Sequence, residues 1–100
     1  LKTMSSLANE FLSGYGCILG RWGGEEFLGI IPGADIERAY SIAEELRLKI
    51  SNYDFETVHS LTSSFGVLQV QKDETAEDAF KRIDKILYQA KESGRNRVCR

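Results

Sequence analysis

Two glycines followed by two acidic residues form the part of this sequence best suited to chemistry. Gly23 and Gly24 precede Glu25 and Glu26, and the residues that follow are mostly apolar. A two-residue loop at the glycines, which tolerate positive φ angles, would join two antiparallel strands. Bare glycine backbone lets a ligand approach closely, and carboxylate oxygens are usual ligands of Mg²⁺. The segment therefore predicts a hairpin that can hold a metal ion beside a triphosphate.

The two glutamates are expected to differ in role, because neighbouring side chains lie on opposite faces of a strand. In the predicted register Arg21 lies opposite Glu26, so a cross-strand ion pair is an alternative role for Glu26. Trp22 lies opposite Glu25, which leaves Glu25 without a partner. Glu25 is then either a metal ligand or a solvated carboxylate of the turn.

Two basic residues near the end of the chain could bind the phosphates of such a ligand. Lys91 lies in the last turn of a predicted helix, and Arg95 follows Gly94, which is expected to end that helix. Basic residues at a helix C-terminus also complement the helix dipole, so the pair has a structural alternative. His59 lies in an irregular polar stretch and is expected at the surface. We find no Walker-type phosphate loop in the sequence.

The spacing of apolar residues predicts the elements that position the hairpin. An amphipathic helix occupies residues 1–12 without a capping residue in front of it, which suggests that the chain begins inside a larger domain. Strands are expected at 15–19 and 27–31. Asp35 is expected to cap a helix over 36–50. The apolar stripe of that helix comprises Ile36, Ala39, Tyr40, Ala43, Leu46 and Ile50, and its charged face comprises Glu37, Arg38, Glu44, Glu45 and Arg47.

The second half of the chain predicts a strand, a helix and a short edge strand. Residues 61–70 are rich in strand-forming residues, with Gly66 as a bulge or a point of close approach. Thr75 begins a capping box ahead of a helix over 76–90, and residues 96–99 could form the edge strand. The order of elements predicts an α+β fold of ferredoxin-like type, in which helices cover a mostly antiparallel sheet.

The composition limits the classes of protein to which the chain can belong. Its 100 residues, 42% of them hydrophobic, suit a single domain, and a net charge of −2 argues against a nucleic-acid polymer as ligand. No apolar run approaches the roughly 18 residues of a membrane span, so we expect a soluble, cytoplasmic chain. Cys17 and Cys99 lack metal-ligand spacing and are expected to be reduced.

Three motifs resemble those of one family. Residues 21–27, read together with Ile31 and Pro32, resemble the signature of the GGDEF family, the diguanylate cyclases, in its GGEEF form. Residues 61–67 are similar to the family's strand ending in Gly-Val, and residues 82–98 are similar to its closing helix and Gly-Arg-Asn segment. The resemblance covers essentially the whole chain, with the motifs in the family's order.

The resemblance implies a fold related to nucleotidyl cyclases and polymerase palms, and a defined reaction. Two GTP molecules condense to cyclic di-GMP and two pyrophosphates in an antiparallel homodimer. By analogy Glu25 would be a ligand of Mg²⁺ or Mn²⁺ and a general base. The substrate-binding positions implied by the family are Gly23, Gly24, Glu26, Lys91 and Arg95.

The resemblance also implies features that this sequence does not contain. The family's N-terminal strand, its metal-binding Asp and its guanine-reading segment precede the region that matches here. We therefore expect a partial GGDEF domain that does not cyclise GTP alone and that follows a sensory or receiver domain, with any membrane anchor also on that side. Residues 14–17 replace the Arg-x-x-Asp motif of product inhibition, so no high-affinity product binding is expected there.

Two other functions remain open at this point. One is a catalytically inactive module that binds GTP as a regulatory signal. The other is an interaction domain whose amphipathic helices serve dimerisation.

Overall fold

The computed structural model describes residues 3–23, 26–55 and 62–100. Three helices and two strand pairs make up this part of the chain. The elements are α1 (Met4–Ser13), β1 (Ile18–Gly23), β2 (Glu26–Ile30), α2 (Ile36–Asn52), β3 (Phe65–Gly66), α3 (Ala76–Glu92) and β4 (Val98–Cys99).

Helix α1 begins with its own cap, so the expectation of an uncapped opening was wrong. The Thr3 hydroxyl accepts a hydrogen bond from the backbone N–H of Ser6 (3.1 Å), and the Thr3 N–H donates to the Ser6 hydroxyl (3.0 Å). These reciprocal bonds satisfy two N–H groups that a helix start leaves unpaired. The helix therefore starts after Thr3, and residues 1 and 2 lie outside the described residues.

Strands β1 and β2 form the predicted antiparallel hairpin, but its register differs from the prediction. Arg21 pairs with Phe27 and Gly23 pairs with Glu26, with a shift between Arg21 and Gly23. Such a bulge adds one residue to one strand. The predicted pairing of Arg21 with Glu26 is therefore wrong, and Gly23 belongs to a strand rather than to a two-residue loop.

The first strand also starts later than predicted, because the chain after α1 continues to bond to that helix. The N–H groups of Tyr15 and Cys17 both donate to the Leu12 carbonyl, at 3.0 and 3.3 Å. Gly16 adopts a φ of 69° in this turn. The strand can form only after these bonds end.

Helix α2 forms most of the core with α1. Asp35 caps it as predicted, since its carboxylate accepts from the backbone N–H of Arg38 at 2.8 Å. Ala43, Leu46 and Ile50 of the predicted stripe are buried, and so is Ile42, which the prediction omitted. The main core cluster consists of Leu12, Ile42, Leu46, Ile50 and Phe55.

Strands β3 and β4 lie parallel to each other and are joined through α3. The Phe65 N–H donates to the Arg97 carbonyl and the Val67 N–H donates to the Cys99 carbonyl, both at 2.9 Å. Within the described part of residues 61–70, only Phe65–Gly66 is a strand. One pair of strands is antiparallel and the other parallel, so the α+β class is confirmed and a mostly antiparallel sheet is not.

Gly66 is a point of close approach, as predicted. A Cβ at this position would lie 2.8 Å from the backbone nitrogen of Leu87, inside van der Waals contact. Helix α3 itself begins where predicted, because the Thr75 hydroxyl accepts from the Asp78 N–H at 3.1 Å. Among the helices that the structure describes, none combines the length and hydrophobicity needed to cross a membrane.

Candidate functional site

The acidic half of the predicted site lies at the end of the β1–β2 hairpin. Gly23 is the last residue of β1 and Glu26 is the first residue of β2, and the two are paired. Gly24 and Glu25 lie outside the described residues, as does His59. For Glu26 the structure describes the backbone alone, so the roles of these acids stay predictions.

The basic half of the predicted site lies at the C-terminal end of α3. Lys91 is in the last turn of the helix and is partly buried, whereas Arg95 is exposed and follows the helix. The helix ends at Glu92 with Ser93 as its C-cap, and the Arg95 N–H donates to the Ala90 carbonyl at 3.0 Å. A Schellman motif is defined by two hydrogen bonds, and this one, from the second residue after the C-cap to the carbonyl three residues before the C-cap, is the one that spans more residues. The predicted stop near Gly94 is confirmed.

The backbone after this stop has an uncommon conformation. Arg95 has a φ of 58° and Asn96 has a φ of 45°, which are the positive-φ residues other than glycine among those described. A Cβ atom clashes with the neighbouring backbone in this left-handed region, so residues other than glycine rarely adopt it. Asn tolerates it better than Arg. Gly94 also has a positive φ of 130°, and the Arg97 guanidinium lies where a Cβ on Gly94 would sit.

Arg47 and Ser64, which the sequence did not assign to the site, hold this segment through Asn96. The Asn96 side-chain oxygen accepts from Arg47 Nη1 of helix α2 at 2.9 Å. The Asn96 N–H donates to the Ser64 hydroxyl at 3.1 Å. The preference of Asn for left-handed backbone, directly after a Gly stop, is a signal in the sequence for Asn96, whereas nothing in the helical pattern separates Arg47 from other charged residues of α2.

Arg47 is itself fixed by a carboxylate on its own helix. Its Nε lies 3.1 Å from each carboxylate oxygen of Glu44, and its Nη2 donates to the same group. The hydrogen bond to Arg47 lowers the pKa of Glu44, and the same bond raises the pKa of Arg47. The Arg47 side chain is only 16% exposed, so this pair is a part of the packed structure rather than a solvated surface contact.

The two halves of the predicted site have different packing partners. The hairpin contacts α1 through β1, whereas α3 packs on β3 and β4. The structure thus brings Lys91 and Arg95 to one end of α3, and it places Gly23 opposite Glu26. Within residues 3–23, 26–55 and 62–100, no three acidic, histidine or cysteine side chains cluster as a metal site.

Comparison with known proteins identifies one family. The family model for the diguanylate cyclase GGDEF domain matches residues 1–97. Diguanylate cyclase DgcM of Escherichia coli K12 is 36% identical over 97 residues, which are 97% of this chain and 22% of DgcM. Diguanylate cyclase VdcA of Vibrio cholerae is 35% identical over 103 residues, covering 97% of this chain and 29% of VdcA. The chain spans less than a third of the length of these curated relatives.

A response regulator and a solved structure show the same similarity. PleD of Caulobacter vibrioides NA1000 is 40% identical over 84 residues, which cover 78% of this chain and 18% of PleD. The solved structure is the active GGEEF domain of a diguanylate cyclase from Vibrio cholerae, with a TM-score of 0.77 and 31% identity over 96% of this chain and 64% of that one. The match over residues 1–97 and this shared fold show that the chain belongs to the GGDEF family of diguanylate cyclase domains.

Proposed function

We propose that this chain is part of a catalytic domain that condenses two GTP molecules into cyclic di-GMP and two pyrophosphates. The observation that carries the proposal is the GGEEF sequence where the paired strands β1 and β2 meet, in a fold similar to a GGEEF domain described as active. Gly23 and Glu26, the first and fourth residues of the motif, are paired across the hairpin. Glycine has no side chain to obstruct the close approach of a nucleotide.

The hairpin residues are proposed to have separate roles. Glu25 would coordinate Mg²⁺ or Mn²⁺ and would accept the proton of the attacking hydroxyl, since a carboxylate suits both tasks. Gly23 and Gly24 leave room for the nucleotide, and Glu26 adds a second acidic contact. A divalent ion bound here would neutralise charge on the triphosphate and polarise a phosphoryl oxygen. Further oxygen ligands are proposed to come from sequence that precedes the matched region.

Lys91 and Arg95 are proposed to bind the triphosphate. Both are cationic, and both lie at the same end of α3. An Arg guanidinium can bind two phosphate oxygens with a planar pair of donors, whereas a Lys ammonium acts as a compact charge. Together they would offset the negative charge that accumulates on pyrophosphate as it leaves.

The proposed reaction needs a second copy of the domain. Each subunit of a homodimer presents one GTP, and the 3′-hydroxyl of each nucleotide attacks the α-phosphate of the other. One new phosphodiester forms at each α-phosphate as pyrophosphate leaves. Because the chain covers only 18% of PleD, a protein named as a response regulator, we also propose that a sensory or receiver domain precedes it. Because further metal ligands are proposed to precede the matched region, we expect the isolated 100 residues to be inactive.

The test is GTP turnover by the full-length protein that carries this chain, with Glu25→Gln as the variant. The amide has no negative charge and cannot accept the proton, so we expect turnover to fall about 100-fold or more. Glu77→Gln is the matched control. The Glu77 side chain is 80% exposed on α3, and among the described residues its observed ion pair is with Lys81.

Each outcome has a clear meaning. Equal turnover in the protein with and without Glu25→Gln would refute the role of Glu25. Binding of GTP with Mg²⁺ in calorimetry, without any turnover by the unaltered protein, would instead favour an inactive regulatory module. The absence of both binding and turnover would favour a dimerisation domain.

A further inference from the structure

We infer that Arg47 is a positioning residue: from helix α2 it holds Asn96 and thereby keeps Arg95 in the orientation in which Arg95 binds phosphate. The inference rests on the proposed function, because it assumes that Arg95 contacts the triphosphate. It adds a residue that lies 49 positions from its partner in sequence. It also gives a functional reason for the ion pair between Arg47 and Glu44 on α2.

The backbone at Arg95 requires support from outside its own segment. Two successive residues with Cβ atoms, Arg95 and Asn96, adopt positive φ angles of 58° and 45°. This region is disfavoured for both, and an Arg gains little there from local side-chain bonding. A conformation of this kind persists when the surrounding structure determines it.

The bonds within the segment secure only its first residue. The Arg95 N–H is bound by the Ala90 carbonyl at 3.0 Å, which closes the end of α3. The Arg95 carbonyl accepts from Arg97 Nε at 3.1 Å. Asn96, in contrast, is held from other elements, by Ser64 ahead of β3 and by Arg47 on α2.

Arg47 has the geometry of a group prepared for this contact. Glu44 takes the Nε and Nη2 donors of the guanidinium, which leaves Nη1 for Asn96. Nη1 lies 2.9 Å from the Asn96 side-chain oxygen and 3.5 Å from its carbonyl. A planar guanidinium held on one edge presents its other edge in a fixed direction, which a Lys cannot do.

The expected effect of losing Arg47 is on nucleotide affinity. Arg95 is exposed, so its backbone rather than packing sets the direction in which its side chain leaves the chain. Without the Arg47 contact the segment 95–96 would sample other conformations, and nucleotide binding would have to order it again. Groups that orient metal ligands typically change affinity by about 10-fold to 100-fold when removed, and we expect an effect at the lower end of that range for a group that orients a phosphate-binding arginine.

The experiment measures the Kd of a non-hydrolysable GTP analogue with Mg²⁺ for the full-length protein that carries this chain. Arg47→Met keeps the length of the side chain and removes its donors. Asn96→Ala cuts the same contact from the other side and leaves the Glu44 pair intact, so it decides the question if Arg47→Met does not fold. We expect each variant to raise the Kd about tenfold.

A double-mutant cycle separates positioning from a general loss of stability. If Arg47 acts through Arg95, then Arg47→Met and Asn96→Ala should add nothing in an Arg95→Ala background. The matched control is Arg82→Gln, which breaks another Arg–carboxylate pair, with Glu74, near the start of α3. Arg82→Gln should lower thermal stability and leave the Kd unchanged.

The outcomes distinguish this inference from the proposed function. If Arg95→Ala leaves the Kd unchanged, Arg95 does not bind phosphate. The proposed role of Arg95 and the positioning role of Arg47 then both fail. If Arg95→Ala raises the Kd but neither Arg47→Met nor Asn96→Ala does, the positioning role alone is overturned. It is also overturned if either variant raises the Kd equally with and without Arg95.

Discussion

Replacement of Gly66 by alanine is expected to destabilise the fold, because strand β3 lies against helix α3 there. An added Cβ would lie 2.8 Å from the Leu87 nitrogen, 3.1 Å from Ile86 Cγ2 and 3.2 Å from the Ile86 carbonyl carbon. Two of these three atoms belong to the helix backbone, which cannot rotate away as a side chain can. The clash must therefore be relieved by moving the helix or the strand.

The size of the effect follows from this geometry. Ordinary van der Waals contact at a Cβ begins near 3.4 Å, so the helix backbone would have to move by about 0.6 Å from its 2.8 Å approach. Overpacking of a core typically costs about 1–3 kcal/mol, and an obstruction by backbone belongs at the upper end. The loss of glycine flexibility in the unfolded chain returns about 0.4–1 kcal/mol. The net loss of unfolding free energy should be about 2 kcal/mol.

Urea denaturation followed by circular dichroism measures this loss. Gly14→Ala is the matched control, because Gly14 has a φ of −66° and a Cβ there would lie 3.5 Å from the Phe11 carbonyl oxygen. That variant should be as stable as the unaltered protein or more stable by up to about 1 kcal/mol. If Gly66→Ala and Gly14→Ala unfold at the same urea concentration, the close packing of β3 on α3 is refuted.

Two further predictions concern the start of α3. Hydrogen bonds from Arg82 and from the Gln71 N–H lower the pKa of Glu74 from 4.5 to about 2. Ionised Glu74 therefore stabilises the fold above pH 4.5, and this contribution is lost as the pH falls toward 2. Urea titrations across that range should show a weaker pH dependence for Glu74→Gln, and an unchanged dependence would contradict the ion pair. Thr75→Ala removes the N-cap and should cost about 1 kcal/mol in the same assay, whereas Thr75→Ser should cost little. Equal losses would exclude the capping role.

Local chemistry explains which helix starts could be predicted from sequence. Asp35 and Thr75 each accept from an N–H three residues later, at 2.8 and 3.1 Å, so each signal lies within four residues. The Thr3 cap was missed because its reciprocal partner is Ser6 rather than the usual Glu or Gln. Gly66 could be predicted as a bulge or a point of close approach, because glycine within a strand weakens it and is found mainly at such positions.

Features that depend on distant parts of the chain could not be read in the same way. A glycine pair between apolar runs favours a two-residue loop, but the shift between Arg21 and Gly23 moves the ladder by one residue. Arg47 belongs by spacing to the charged face of α2, yet its side chain is 16% exposed because the end of the chain returns over it. Residue spacing within a helix contains no information about that return. The roles of Glu25 and Glu26 stay predictions.

The parallel pair β3 and β4, with α3 between them, also determines how this region can move. Backbone hydrogen bonds join the two strands. Because Gly66 has no side chain, the backbone of α3 packs directly against β3. Close-packed elements of this kind shift as rigid bodies rather than deform. We therefore expect a motion of α3 to take both strands with it, and a displacement of α2 to reach Asn96 through Arg47. Because α2 also contacts β4 and Arg100 donates to Glu37 of α2 at 2.8 Å, we expect α2, α3 and the strand pair to respond together to a displacement at the end of α3.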